Sequence, residues 1–418
     1  MKAIIPMSLA VVFCTLFSYE NISVIPSERQ DTLIIETSNE ETDINKSGLD
    51  FTVYNSNINT KYSEFSSATF KNKLIVVSSK KIGGLGNGLD RNTNEPYTEL
   101  FCLDFDSKGD ISNPLLFSRI LNTKHNEGHV SFSPDESTIY YTRSLRENTS
   151  NYQLYKADLA PGSHGNWVDE TQLTFNSQYS IENPHVSPDG KHLFFSSNKQ
   201  GGQGGYDLYV AEILKNGAIG VPTNLGREIN GPSDEKFPFM SKDGKNFFFA
   251  SNGHFGLGGF DLYVSKVTAE AFEIPVNLGD EVNSSFDEVS LSFISDTKGY
   301  FSSNKTGGKG SFDIYCFEAL PIAQIVQGII VDNQTNQPIP ESKVVLLDET
   351  GQELSTQTTG ADAHFSFSIK AFENYKLKIL KPGFEANEFA FEANNTQSNI
   401  YKQVLKLSAK NRPSSNKE

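Results

Sequence analysis

The sequence predicts an all-β protein: a five-bladed β-propeller closed by an N-terminal strand, followed by a small β-sandwich. Three observations carry this. First, a strand pattern recurs as ELFCLDFD at 99, YQLYKADL at 152, YDLYVAEI at 206, FDLYVSKV at 260 and FDIYCFEA at 312. Aligned on Phe101, Tyr155, Tyr209, Tyr263 and Tyr315, the spacings are 54, 54, 54 and 52 residues, a period that accommodates the four strands of a propeller blade. Second, apolar strands such as HLFFSSN, NFFFASN and KGYFSSN lie ahead of it. The turns SPDE at 133, SPDG at 187 and SKDG at 241 precede such strands, Asp and Gly supplying hairpin conformations. Third, 31 Phe and 16 Tyr against three Met and one Trp in 418 residues is a composition suited to β-structure.

From the N-terminus, residues 1–19 place one Lys before about a dozen apolar residues, the pattern of a secretory signal peptide. Cleavage after Ser18 puts Leu16 at the −3 position. Cys14 offers the alternative of a lipoprotein anchor, disfavoured by Phe13, which stands where such signals want a small residue. Residues 20–48 intersperse charges with Ser, Thr and Asn and read as a flexible acidic leader. Beyond the N-terminus no apolar run reaches the roughly 18 residues of a membrane helix, so no transmembrane segment is expected. The net charge of −15 repels phosphate, which argues against broad nucleic-acid binding and adhesion to anionic lipid.

The joints between repeats carry a second signature: Asn after an apolar residue, then Glu five or six residues on. The pairs are Asn59 and Glu64, Asn122 and Glu127, Asn176 and Glu182, Asn230 and Glu235, and Asn283 and Glu288. The strand before the first joint, FTVYN at 51, has no blade of its own, and the last repeat supplies three strands ending near Ala319. The fragments complete each other, giving a ring over residues 49–320. Cys102 and Cys316 occupy equivalent positions in two repeats and should not face each other, so buried thiols are expected in place of a disulfide.

These motifs resemble a known family. SPDGKHLFFSSNKQGGQGGYDLYVAEI is similar to the TolB-like propeller repeat of OmpA-type envelope proteins of Gram-negative bacteria. INTKYSEF, NLGxxIN and DEKFPF resemble the propeller of those members that accompany the type IX secretion and gliding machinery.

From Ala323 short alternating strands are separated by Asn-Gln-Pro, Asp-Glu-Thr-Gly and Pro-Gly turns, predicting a β-sandwich over 322–408 and a polar tail over 409–418. The sandwich resembles the carboxypeptidase regulatory-like domain, of transthyretin-like fold. Gly328, Thr335, Pro338, Ile339, Lys381, Gly383 and Phe384 match its pattern, and Ala363 stands where that family usually has Gly. In the envelope proteins this module follows the propeller. Their tetratricopeptide segment and peptidoglycan-binding OmpA domain have no counterpart in these residues.

Candidate site residues begin with the joint glutamates Glu64, Glu127, Glu182, Glu235 and Glu288, expected to ring one mouth of the central channel. Such carboxylates can hold a cation or activate water. They can equally brace the loops between blades, which five-fold repetition favours, because a catalytic set needs different residues in different roles. Asp207, Asp261 and Asp313 in Gly-Gly-x-Asp-type loops are read as backbone braces. The loops KQGGQGGY, GHFGLGGF and KTGGKGSF lack the spacing of a phosphate cradle. His125 and His129 flank Glu127 in HNEGH, but the spacing is wrong for a helical zinc motif and a solvated or hydrogen-bonding role is expected. Asp104 and Asp106 open a segment like a calcium loop in which Lys108 occupies a ligand position, so a simple hairpin is favoured.

Departures from the repeat say more. The loop between second and third strands has seven residues in blades three to five, about 17 in blade one (KIGGLGNGLDRNTNEPY), and is polar in blade two (SLRENTSN). It lies on the same face as the joints. That face would carry Asp90, Arg91, Glu95 and Arg146 together with Lys81, Lys199 and Lys309, and long loops on rigid scaffolds are where binding sits.

The sequence therefore predicts a non-enzymatic, exported cell-envelope protein, periplasmic or outer-membrane associated, that binds a protein or glycan through one propeller face. The resemblance implies a place in a secretion or gliding assembly. No catalytic residue, metal or cofactor is expected. The rival reading is a glycan-active, glycosidase-like enzyme, which needs two or three channel carboxylates about 5–10 Å apart in distinct environments, with Glu64, Glu127 and Glu288 the first to test. A calcium-stiffened lectin using the same glutamates is a third class.

Overall fold

The structure, a computed structural model, describes residues 47–81, 88–106, 111–173, 178–268, 271–371, 373–393 and 399–410. The expected signal peptide with Cys14, the leader up to residue 46 and the tail from 411 lie outside the described residues. Among the described residues the secondary structure is all β, and no helix is long and apolar enough to cross a membrane.

Strand β1 (Leu49–Asn55) precedes four consecutive antiparallel meanders. The first is β2 (Glu64–Phe70), β3 (Lys73–Ser78), β4 (Glu99–Phe105) and β5 (Ile111–Leu116); the second is β6 (Glu127–Phe132), β7 (Thr138–Ser144), β8 (Tyr152–Leu159) and β9 (Trp167–Gln172). The third is β10 (Ile181–Val186), β11 (His192–Ser197), β12 (Asp207–Glu212) and the short β13 (Thr223–Asn224). The fourth is β14 (Glu235–Met240), β15 (Asn246–Ser251), β16 (Asp261–Lys266) and the short β17 (Val276–Asn277). A fifth sheet holds β18 (Glu288–Phe293), β19 (Lys298–Ser303) and β20 (Asp313–Pro321), and its fourth strand is β1, with Phe51 opposite Ala319 and Asn55 opposite Tyr315.

The first strands of the sheets, β2, β6, β10, β14 and β18, touch in turn, and β18 also touches β2. Alternation along the middle strands explains the arrangement: successive side chains point to opposite faces of a sheet. In β15, Phe247 and Phe249 pack against Phe194 and Leu208 of the third sheet, whereas Phe248 joins Leu291, Phe301 and Phe317 of the fifth. Equivalent clusters fill the other gaps, including one in which Leu74, Val76 and Phe101 of the first sheet meet Tyr300 and Ile314 of the fifth. The arrangement is propeller-like.

Each described joint asparagine ties its sheet to the preceding one by a two-point amide pair. Asn230 accepts from Leu208 N–H at 2.7 Å and donates to its carbonyl at 3.0 Å. Asn122 does the same with Leu100, Asn283 with Leu262, and Asn59 with Ile314 of the fifth sheet. Asn176 lies outside the described residues. No disulfide joins Cys102 and Cys316, and both are half-buried, not buried as expected, because each packs against an inter-sheet cluster without being a member of its buried core.

The remaining strands are β21 (Ala323–Asp332), β22 (Lys343–Asp348), β23 (Glu353–Thr358), β24 (His364–Lys370), β25 (Asn374–Leu380), β26 (Asn387–Glu392) and β27 (Ile400–Leu407). They form a three-stranded sheet, β24-β21-β27, and a four-stranded one, β23-β22-β25-β26, around one apolar core. Gly328 sits where a Cβ would lie 2.2 Å from the Gln403 carbonyl of the parallel neighbour β27, so no other residue fits. Lys381 caps the carbonyls of Pro340 and Glu341 at 2.7 and 3.2 Å. Ala363 has φ +57°, the left-handed region where glycine costs least.

Candidate functional site

Four of the five joint glutamates face their own joints. Glu64, Glu127, Glu235 and Glu288 are buried. Each accepts the backbone N–H of the residue four positions earlier: Thr60 at 3.3 Å, Thr123 at 2.8 Å, Gly231 at 2.8 Å and Ser284 at 2.7 Å. Hydroxyls of Ser251 and Ser303, at 2.7 and 2.6 Å, reach Glu235 and Glu288 from the ends of the middle strands. Arg143 takes that place for Glu127, with Nε at 3.0 Å, and its other nitrogens reach Glu170 on β9 at 3.1 Å. Burial pushes the carboxyls of Glu64, Glu127 and Glu235 up to about 7 and raises that of Glu288.

The expected acidic ring at one channel mouth is therefore corrected. The carboxylates that begin β2, β6, β14 and β18 lie opposite Ser78, Arg143, Ser251 and Ser303, on the strand face that braces the joint. In the third sheet Ile181 holds that register, opposite Ser197, and Glu182 is one residue further on. With a period of two, that single shift turns the side chain to the other face. Glu182 accepts hydrogen bonds from Tyr206 Oη at 2.7 Å and Ser180 Oγ at 2.9 Å, and pairs with Lys236 Nζ at 2.9 Å. Lys236 Nζ also lies 3.7 Å from the centre of the Tyr206 ring.

Two residues beyond the start of each first strand, the bulged backbone brings side chains together at the centre, and Asn183, Phe237 and Ser290 all have positive φ there. His129 is the meeting point. Its Nε2 lies 2.8 Å from Ser290 Oγ and its Nδ1 lies 3.2 Å from Asn183 Nδ2, while its ring packs edge-on against Phe65 and Phe237. Asn183 Nδ2 donates to Nδ1, so Nε2 carries the proton and donates to Ser290, whose hydroxyl donates on to the Ser66 carbonyl. Burial holds His129 down at about 4, in its neutral form. His185 is held at about 4 for the same reason, its Nε2 accepting Met240 N–H at 2.9 Å. The space left beside them is about 20 Å³, room for about one water. HNEGH thus supplies a brace (Glu127) and a central hydrogen-bonding residue (His129), not a metal pair, and among the described residues no three His, Cys, Asp or Glu are grouped to hold a metal. Sequence reasoning missed the centrality of His129, whose signal is that it stands in the inner-strand position shared with Ser66, Asn183, Phe237 and Ser290.

On the joint-bearing face, the loops of the first two sheets are bound to each other. Residues 90–95 close on themselves through Asp90 N–H to the Glu95 carbonyl at 2.8 Å. Asp90 is buried, accepting from Thr149 Oγ1 at 3.0 Å and Asn126 Nδ2 at 2.5 Å, and Asn92 Nδ2 donates to Thr149 and Ser150, both at 2.9 Å. Glu95 accepts from the Ser79 hydroxyl and from Ser63 N–H at 3.3 Å. Asp90 and Glu95 are therefore supports, while Arg91 and Arg146 are exposed on the platform they hold. Residues 82–87 of the long loop lie outside the described residues.

The other loops are braced from within. Asp207 accepts from Gln203 and Gly204 N–H at 2.5 and 2.9 Å, and Asp313 from Lys309 N–H at 2.6 Å. Asp261 does the same for Leu257. Asp104 pairs with Lys73, and residues 107–110 lie outside the described residues.

No family model matches the chain, and no curated protein does. Solved structures do resemble it. TolB from Acinetobacter baumannii is 17% identical, with 62% of this chain and 54% of that chain covered and a TM-score of 0.34. A putative TolB from Agrobacterium tumefaciens is 15% identical, with 64% and 78% covered and a TM-score of 0.35. A GH43_12 protein retrieved from a capybara gut metagenome is 13% identical, with 86% and 70% covered and a TM-score of 0.44. The chain spans about half the length of the Acinetobacter protein. At these TM-scores none of the three assigns a function to this chain.

Proposed function

We propose that this chain is a non-enzymatic, exported envelope protein whose first 320 residues contain a five-bladed propeller closed by β1, and that it binds a protein or glycan partner through the joint-bearing face. Its carboxypeptidase regulatory-like sandwich serves as a spacer, and its resemblance to type IX secretion and gliding proteins suggests a scaffold within such an assembly. The observation that carries this is the platform of the first two sheets. The two loops that depart from the repeat are hydrogen-bonded to each other through Asp90, Asn92 and Thr149, presenting Arg91 and Arg146 on a preorganised surface. Rigid presentation lowers the ordering cost of binding. The glycosidase-like alternative would use Glu64, Glu127 and Glu288, but these are engaged with their own joints, which supports binding over catalysis.

A photo-crosslinking residue at Arg91 or Arg146, compared with one at Asp243 in the turn on the opposite face, tests this in the producing cells. Discrete adducts from the first two positions, recovered with the envelope fraction, are expected. Equal labelling from Asp243, or no adducts, would refute the assignment of the face, and a mature protein retained in the cytoplasm would refute export.

A further inference from the structure

We propose that Phe255 and Leu257, at the tip of the fourth sheet's loop, form an anchor that inserts into an apolar socket on a protein partner. This builds on the binding-face reading and adds both a second contact point and the class of partner.

Phe255 is 87% exposed and Leu257 40% exposed. The loops of the third and fifth sheets have the same length and carry Gly201 and Gln203, and Gly307 and Lys309, at these positions, with the two glycines at φ +92° and +93°, a left-handed turn that Phe255 does not share. The fold therefore does not require apolar side chains there.

The loop that carries them is held firmly. Phe255 O accepts from Tyr263 Oη at 2.8 Å, the Leu257 N–H donates to Asp261, Gly259 N–H donates to the Phe286 carbonyl at 3.0 Å, and His254 Nε2 lies 2.8 Å from Ile229 O. The glycines between are obligatory: a Cβ on Gly256 would lie 1.9 Å from Asp261 and one on Gly258 would lie 2.4 Å from the Ser284 carbonyl. Two exposed apolar side chains on a braced loop lose little freedom on binding, which is the property of an interface hot spot.

The surroundings select the partner. A protruding pair of this kind fits a concave apolar socket. Glycan stacking needs flanking side-chain donors, but the neighbours Gly256, Gly258 and Gly259 have none and the His254 ring is engaged with Ile229. A membrane surface is disfavoured because a net charge of −15 opposes approach to anionic lipid.

The test places p-benzoylphenylalanine at position 255 of the full chain in the producing cells, with the same residue at Lys309, the exposed equivalent of Leu257 in the fifth sheet's loop, as control. The adduct partner is then purified and its affinity measured for wild type, Phe255→Ser and the double variant Phe255→Gly/Leu257→Gln, which restores the third sheet's residues. The expected result is one saturable protein adduct from position 255 and not from 309, with affinity reduced about 30-fold or more in both variants at unchanged melting temperature. Four results would overturn the proposal: no adduct, affinity within about threefold of wild type, a large fall in melting temperature in both variants, or Phe255-dependent flotation with phosphatidylcholine vesicles or binding to peptidoglycan fragments. Adducts from Arg91 without any from 255 would reject the anchor and leave the binding face standing.

Discussion

His129 contacts residues from all four of the other inner strands, so its titration should be felt by the whole ring. Burial holds its folded pKa at about 4 against an ordinary 6.5. A group neutral in the fold and chargeable in the unfolded chain contributes stability that is complete above 6.5 and is lost as pH falls toward 4. The full gap corresponds to roughly 3 kcal/mol, and about 2 kcal/mol of it is lost by pH 5. The joint carboxyls act with the opposite sign. Glu64, Glu127 and Glu235 sit at about 7, so their contribution is present in acid and fades as pH rises through 7. The wild-type pH profile is thus a sum of opposed effects, and a difference isolates His129. Replacing it by Gln keeps a hydrogen-bonding side chain and removes the titration. Urea unfolding followed by the fluorescence of Trp167, fully buried between the first two sheets and the only tryptophan, reports the ring without the sandwich. Between pH 7.5 and 5.0 wild type should lose about 2 kcal/mol more than His129→Gln. Parallel losses in the two proteins would refute the buried neutral imidazole.

Three further outcomes follow from named contacts. Gly328→Ala forces a Cβ onto the Gln403 carbonyl and should destabilise the sandwich by about 1–3 kcal/mol or more, lowering its calorimetric transition without moving the Trp167 transition. Arg143→Met leaves Glu127 buried without its cation and should cost about 3 kcal/mol, more at pH 8 than at pH 6 because the carboxyl is neutral at the lower pH; a pH-independent loss would contradict this. Asp90→Asn removes the charged support of the platform and should speed amide exchange at residues 88–95 and 146–151 at unchanged global stability, as read by hydrogen exchange and mass spectrometry.

The strand pattern was legible because propeller sheets repeat a local code: apolar alternation, Asp-Gly turns and a Ser-Asn strand end. The joint asparagines were visible for the same reason, and their two-point pairs with Leu100, Leu208, Leu262 and Ile314 explain why Asn and no other side chain recurs. The direction of the glutamates was not legible from residue type. It depends on register, where a shift of one residue exchanges the face that braces the joint for the opposite face of the strand. The clue was present in the spacing, five residues from Asn to Glu at four joints and six at the third, the joint whose glutamate turns toward Lys236. The central position of His129 was not legible because its partners lie 54 and 161 positions away in sequence. The loops of the first two sheets break the repeat visibly, yet nothing in their composition tells Asp90 and Glu95, which support the platform, from Arg91 and Arg146, which it presents.

A single loop-bearing face exists only if the five sheets close into one ring through β1. Tyr54 on β1 lies directly opposite Cys316 on β20 and is 55% exposed, and residues so paired in antiparallel strands have Cα separations within disulfide range. Tyr54→Cys in a Cys14→Ser, Cys102→Ser background, oxidised mildly and digested, should yield one peptide pair joined between positions 54 and 316 and a protein of altered non-reducing mobility, with Trp167 unfolding shifted upward. A reduced thiol at position 54 under conditions that oxidise exposed pairs would contradict the closed ring, and with it the shared face on which the proposed binding depends.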